Sequence, residues 1–353
     1  MTLPRNAQLW LPGYCRARLR DWANPKASKC RVWLLLADHY EPQFQQPPPE
    51  VALGRVNAWA VEWPRIASRH QDSAGRRPKY TFFYPQEEYR PELLDPLARM
   101  TGDGIGDVEV HIHHDCEGER DFLDRMQGFI ETLSTRHGLL RRQNGKTIFA
   151  FIHGNWALDN SLPSGRWCGL NNEITLLRDL GCYADFTMPA GASPAQCRVL
   201  NTIQWVTDDP ERPRSFDTGD AVRPGHLGQG DLLMIPGPMG WRWRERILPR
   251  LESAELAHQD LASPYRAQRW LDLAPRIGSD IFVKLHAHGA NDLNSRALLG
   301  PGGLDRLFTV LAAECARRGY QWYSSSAWEM RQAVDAAARG ENPAETLRLQ
   351  KTK

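Results

Sequence analysis

The chain is expected to fold as one α/β domain, barrel-like with a decorated middle, and three observations carry that expectation. The period of its apolar residues switches repeatedly between two, or a continuous run, and about 3.6, the pattern of strands alternating with helices. Each helical stretch lies between two strands, so a mostly parallel sheet is the economical topology. At 353 residues and 41% hydrophobic, the chain can bury one large core, and α/β barrels of this size are commonly single domains. The domain is read as residues 1–353, with its core at about 30–338 and an irregular segment at 189–278.

The elements run in order along the chain. "CRVWLLLADHYEP" holds a buried strand at 31–37, stopped by polar residues and Pro42. The proline-rich loop "QFQQPPPE" leads to a helix through "VALGRVNAWAVEWPRIAS". "KYTFFYP" is the second strand, "PELLDPLARM" a short helix opened by Pro91, and "GDGIGD" the turn into a strand at 107–113. In "RDFLDRMQGFIETLSTRHG", Phe122, Met126, Phe129, Ile130 and Leu133 share a helical face that ends at Gly138. Strand "TIFAFIHG", helix "NEITLLRDLG" and strand "CYADFTMP" come next. In the irregular segment only "TIQWV" and "DLLMIP" have strand character. Regularity returns with strand "DIFVKLHAHG" at 281–286, helix "LDRLFTVLAAECARRG", strand "YQWYS" and a final helix from about Ser326.

A formal charge of +2, from 44 basic and 42 acidic residues, offers no global attraction for nucleic acid. The N-terminus has no apolar run before its arginines, and no stretch approaches the length of a membrane span. Seven cysteines at 15, 30, 116, 168, 182, 197 and 315 form no C-x-x-C pair, which suits reduced, mostly buried thiols in the cytoplasm. Thirteen tryptophans fit core packing or stacking on sugar faces equally well.

The polar residues cluster at strand ends. Asp38 and His39 end the first strand, His111 to Asp115 the third, His153 and Asn155 the fourth, Asp185 the fifth, and His286 and His288 come after "FVKL". Seven of the eleven histidines thus sit at C-terminal strand ends, which in a parallel sheet or barrel form one rim. Side chains alternate along a strand, so His111, His113 and Asp115 share a face and His114 points the other way. Two imidazoles and a carboxylate make an open shell for one divalent ion, with Zn2+ the first candidate. The expected ligands are Asp38, His111 and His113. Asp185 could cap the next helix or orient a histidine.

These stretches resemble the polysaccharide deacetylase (NodB-homology) branch of the glycoside hydrolase/deacetylase superfamily. "LLLADHYEP" is similar to its first motif, where neighbouring aspartates serve as base and metal ligand, and "VHIHHD" to its histidine ligand motif. "FIHGNW", "YADFTMP" and "VKLHAHG" stand where the family has a groove wall, an aspartate motif and a late catalytic histidine. The order of motifs spans about residues 30–325. Two departures stand out: the paired aspartates are Asp38–His39, and H-x-x-x-H becomes H-x-H-H. The resemblance implies a distorted (β/α)7 barrel that removes N-acetyl groups from an amino sugar or exopolysaccharide, free, lipid-linked or polymeric.

In that reading the ion activates water and polarises the acyl carbonyl while Asp38 or His39 takes a proton. Asp38 is base or ligand, with His39 or Glu41 taking the other task. His286 is the acid, supported by Asp185, and His288 its alternate. Asn155, or the backbone after His153, helps hold the oxyanion, and Glu41, His153, Asn155, Trp156 and His288 line the substrate site. Two alternatives remain open: glycoside cleavage by paired carboxylates such as Asp38 and Asp185, and a non-catalytic sugar-binding or assembly protein. The run "GWRWRERILPR" at 240–250 is either a solvated face or a contact for anionic sugar, lipid phosphate or membrane through Trp241, Arg242, Trp243 and Arg244. Arginines 16, 18 and 20 could add to that surface.

Overall fold

The computed structural model describes residues 3–24, 27–115, 118–244 and 248–349. Cys116 lies outside them. The chain is a mixed α/β protein built on a large, mostly parallel sheet. Seven of its parallel strands form one continuous ladder, numbered in chain order: β1 (Arg31–His39), β2 (Tyr80–Pro85), β3 (Gly106–Ile112), β4 (Lys146–His153), β5 (Cys182–Asp185), β6 (Leu232–Met234) and β7 (Asp280–Ala287). Their order is β7-β1-β2-β3-β4-β5-β6. Strand Gln321–Ser325 pairs with the first half of β1, and β2 with its end.

Helices Pro49–Ala67, Pro91–Gly102, Glu119–Glu131 and Glu173–Leu180 connect the first five strands, as the change of period predicts. Each side of β1 faces a different core, which explains its unbroken apolar run. Val32, Leu34 and Leu36 pack with Trp59 and Trp63 of the first connecting helix. Trp33, Leu35 and Ala37 face Phe83, Ile152 and Phe282. Helix Ala327–Ala338 starts at Ser326 in a capping box with Glu329, and a short helix, Pro343–Thr346, follows it. Between β5 and β6 the chain forms two short antiparallel strands, Gln204–Val206 and Asp220–Ala221, and a 3-10 turn at Ser215–Asp217. The two ends of the ladder come close. Lys284 Nζ of β7 donates to the Met188 carbonyl beyond β5, at 3.0 Å. A Cβ on Gly237, just past β6, would lie 2.5 Å from the Lys284 carbonyl oxygen.

The cationic-aromatic run forms a hairpin, Gly240–Arg244 with Leu248–Glu252. Arg242 is buried in ion pairs with Glu252 and Asp260, and Trp241 packs edge-on against Trp10. Trp243 is exposed. Of the N-terminal arginines, Arg20 bonds Thr202 and the Asn201 carbonyl, and Arg18 the Asp272 carbonyl. No helix of the described residues is long and apolar enough to cross a membrane.

Glu252 holds this hairpin to the domain. Its carboxylate accepts both arms of Arg266, at 2.6 and 3.0 Å, and the Trp270 indole at 3.1 Å. Burial alone would raise its pKa, but Arg266 and Arg242 hold it below the ordinary Glu value. Glu252→Ala leaves two buried guanidiniums with Asp260 as their remaining ion-pair partner and should cost about 3–5 kcal/mol in chemical denaturation. Because the folded pKa is depressed, Glu252's stabilisation is complete above the ordinary Glu pKa and is lost as the pH falls through the folded value. An acid-unfolding midpoint unchanged in the stable Glu252→Gln protein would contradict this.

Candidate functional site

His39 extends the Trp33–Leu35–Ala37 side of β1 beyond the apolar core, which places it among rings from β3 and β7. Ring centroids lie 5.0 Å from His111, 5.9 Å from His286 and 4.8 Å from His288. Glu41, two residues on, is the hub of the cluster. Its Oε1 lies 3.3 Å from His111 Nε2 and 3.4 Å from His113 Nε2, and its Oε2 lies 3.5 Å from His288 Nδ1. Two sets of ligand atoms therefore share Glu41: His39, Glu41 and His288, and Glu41, His111 and His113. Within each set the atoms lie within 4.8 Å of one another.

The surroundings fix these groups for ligation. His111 Nδ1 donates to the Ile152 carbonyl at 2.7 Å, leaving the Nε2 lone pair for the site. His113 Nδ1 lies 2.5 Å from Glu87 Oε1. Its ring sits where a Cβ on Gly154 would intrude, 2.4 Å from His113 Cδ2, so that position suits glycine alone. His39 Nε2 and His286 Nδ1 are buried without a hydrogen-bond partner. An orphaned imidazole nitrogen beside a carboxylate, as His39 is beside Glu41, fits a divalent ion better than a closed protein network.

The electrostatics divide the histidines. Burial, reinforced by His288 and His111, holds His39 well below the ordinary imidazole pKa, and burial likewise lowers His111 against the opposing pull of Glu41. Burial disfavours charge on His288 and His113, but Glu41 raises the first and Glu87 the second. Glu41 is held far below the usual carboxylate range because His111 and His288 outweigh its burial.

Above the cluster opens a cavity of about 470 Å³. Gln43, Phe44, Glu88, Asn155, Trp156 and Asn294 line it together with His39, Glu41, His113 and His288. Asn155 and Trp156 arrive in left-handed backbone conformation, with φ of 54° and 56°. Buried Trp156 Nε1 has no hydrogen-bond partner.

Several expected residues lie elsewhere. Asp38 shares the helix-facing side of β1 with Leu34 and Leu36, so it does not join His111 and His113. Its oxygens accept the Gly289 amide at 2.6 Å and the Tyr80 hydroxyl at 2.9 Å, and burial lifts its pKa to about 6. Trp59 Nε1 donates to the Gly289 carbonyl at 2.9 Å, so Asp38, Tyr80 and Trp59 together fix the loop that presents His288. A side chain at Gly289 would collide with Asp38. His286 is not raised by Asp185: burial, with Lys284 and His288, holds it well below the ordinary value. Asp185 turns to Thr187, accepting its hydroxyl at 2.6 Å and its amide at 3.1 Å. Asp115 accepts the Trp167 amide and pairs with Arg166.

His153 leaves the cavity altogether and joins a second, fully buried group with His114, Cys168 and Glu173, which could hold a metal ion. Alternation along β3 predicts that His114 points away from His113, but not what it meets. The signal missed was "WCGLNNE", a thiol and a carboxylate five residues apart at a helix start. Glu41 was expected as a substrate contact, or as base or ligand beside Asp38, but not as the hub that faces His111, His113 and His288. Comparison with protein-family models and with curated proteins returns no match, so the chemistry rests on the site's own residues.

Proposed function

We propose that this chain is a metal-dependent hydrolase that removes an acetyl or related acyl group from an amino sugar, on a rim resembling that of the polysaccharide deacetylases. We also propose that the seven-strand parallel ladder β7-β1-β2-β3-β4-β5-β6 curls into a distorted barrel. The observation that carries the function is the convergence of Glu41 with His39, His111, His113 and His288 at the floor of an open cavity. The approach of Gly237, past β6, to Lys284 on β7 supports the barrel.

In this reading Glu41, His111 and His113 hold the ion, in place of the Asp38, His111 and His113 set. A divalent ion there would polarise the acyl carbonyl and acidify a water. His39, neutral and with its Nε2 unpartnered, is positioned to accept the water's proton. His288, favoured in its protonated form by Glu41, gives a proton to the leaving amine. Glu87 and the Ile152 carbonyl keep His113 and His111 in ligating orientation. Asn155 and the Trp156 indole supply donors and an apolar face for the sugar.

The paired-carboxylate alternative gains nothing from Asp38 and Asp185, whose oxygens are engaged by neighbours. The test is acetate release from N-acetylated oligosaccharides. Release is expected, abolished by chelator and restored by Zn2+. New reducing ends without acetate would select a glycosidase, and metal binding without either product would select a binding protein.

A further inference from the structure

His114 lies just past β3, His153 ends β4, Cys168 lies in the loop after β4, and Glu173 opens helix Glu173–Leu180. All four are buried, and their ligand atoms lie within 4.8 Å of one another. His114 Nε2 lies 2.9 Å from His153 Nε2 and 3.0 Å from Glu173 Oε1, and His153 Nε2 lies 3.3 Å from that same oxygen. Three heteroatoms thus form a triangle at about the spacing that ligand atoms take around a tetrahedral ion.

Proton bookkeeping argues against a purely hydrogen-bonded account. His153 Nδ1 lies against the Gly154 carbonyl, where it must donate, so in the neutral ring His153 Nε2 carries a lone pair. Glu173 Oε1 is an acceptor as well. His114 Nε2 can then supply at most one proton to two acceptors, at the centre of a region sealed from water. Among the described residues, the ion-pair partners of buried Glu173 are these two imidazoles, with no Lys or Arg. A buried carboxylate needs a cation, which here is either a protonated imidazole or a metal ion.

The surroundings of the other two donors point the same way. Glu173 Oε2 accepts the Asp159 amide at 2.7 Å and lies 3.3 Å from Cys168 Sγ, which orients the carboxylate and leaves Oε1 for the centre. The Asn160 amide lies 3.2 Å from Cys168 Sγ and donates to it, a contact that favours a sulfur bearing negative charge. Four donors of the N, N, S, O type, completely enclosed, match a closed tetrahedral site with no position for substrate. A thiolate in the set favours Zn2+ over the hard cations Mg2+ and Ca2+.

We propose that His114, His153, Cys168 and Glu173 bind a second divalent ion, Zn2+ by donor type, in a closed structural site. It would tie β3, β4 and helix Glu173–Leu180 to the loop that begins with Asn155 and Trp156, and so set the wall of the rim cavity. The proposal does not depend on hydrolysis, nor on the rim holding metal.

The test uses the full chain purified without chelator or metal-affinity resin. Metal content should fall by one equivalent per chain in Cys168→Ser and not in Cys15→Ser. On Co2+ reconstitution, wild type should show near-ultraviolet thiolate-to-cobalt absorption that Cys168→Ser lacks and Glu41→Gln retains. The rim donors contain no sulfur, so loss of metal without loss of that band reports on the rim alone. Should Cys168→Ser fail to fold, X-ray absorption of the wild-type zinc protein decides, with a sulfur neighbour expected at about 2.3 Å. Bound zinc with no sulfur neighbour, or a thiolate band that survives in Cys168→Ser, would overturn the proposal.

Discussion

Glu41→Gln is expected to lower acetate release by about 10²–10⁴-fold, the range over which a positioned acid–base or electrostatic group contributes. The substitution keeps the size of the side chain and removes the charge that faces His111, His113 and His288 at 3.3, 3.4 and 3.5 Å. Two effects add. The rim loses its anionic ligand, and His288 loses the partner that raises its pKa against burial. The loss should therefore appear with weaker binding of the rim ion, measured by metal competition, and with an acid-shifted alkaline limb in the pH profile. Turnover within a few-fold of wild type would remove Glu41 from the site.

His288→Ala should cost a similar factor of about 10²–10⁴ in turnover while retaining Glu41, His111 and His113 as ligands. His286→Ala should cost less. This ordering reverses the one suggested by the sequence, and the reason is electrostatic. Both histidines belong to the same strand end, but His286 lies inside, where burial and Lys284 disfavour its charge, whereas His288 reaches the cavity beside Glu41. An acid must hold its proton until the amine leaves, so the protonated imidazole is the better donor. Equal losses in the two variants, or a larger loss in His286→Ala, would return the role to His286.

The parallel sheet and the gathering of histidines at its C-terminal edge were legible because both depend on period and alternation. Buried apolar runs such as "VWLLL" and "FVKL" mark the strands, and the polar residues at the end of each run lie on the rim. Alternation along β3 also separates His111 and His113 from His114. The same rule applied to β1 would have shown that Asp38 and His39 point to opposite sides. Reading Asp38 as the ligand followed its place at the strand end on the rim without applying that parity. Glu41 lies past the end of β1, where alternation no longer fixes direction, and its position depends on long-range contacts with β3 and β7. Cys168 and Glu173 were harder still. They reach His114 and His153 through a loop with left-handed turns at Asn155, Trp156, Asp159, Asn160 and Trp167, which no periodicity encodes. Reading the "GWRWR" run as a solvated face failed for Arg242 because its partners, Glu252 and Asp260, are supplied by the returning strand of the hairpin and the loop after it.

Anomalous diffraction at the zinc edge from crystals of the active protein tests the rim most directly. A peak is expected at about 2.0–2.2 Å from a carboxylate oxygen of Glu41 and from imidazole nitrogens of His111 and His113. Chelator-sensitive acetate release from protein whose crystals show no anomalous peak at Glu41 would contradict it.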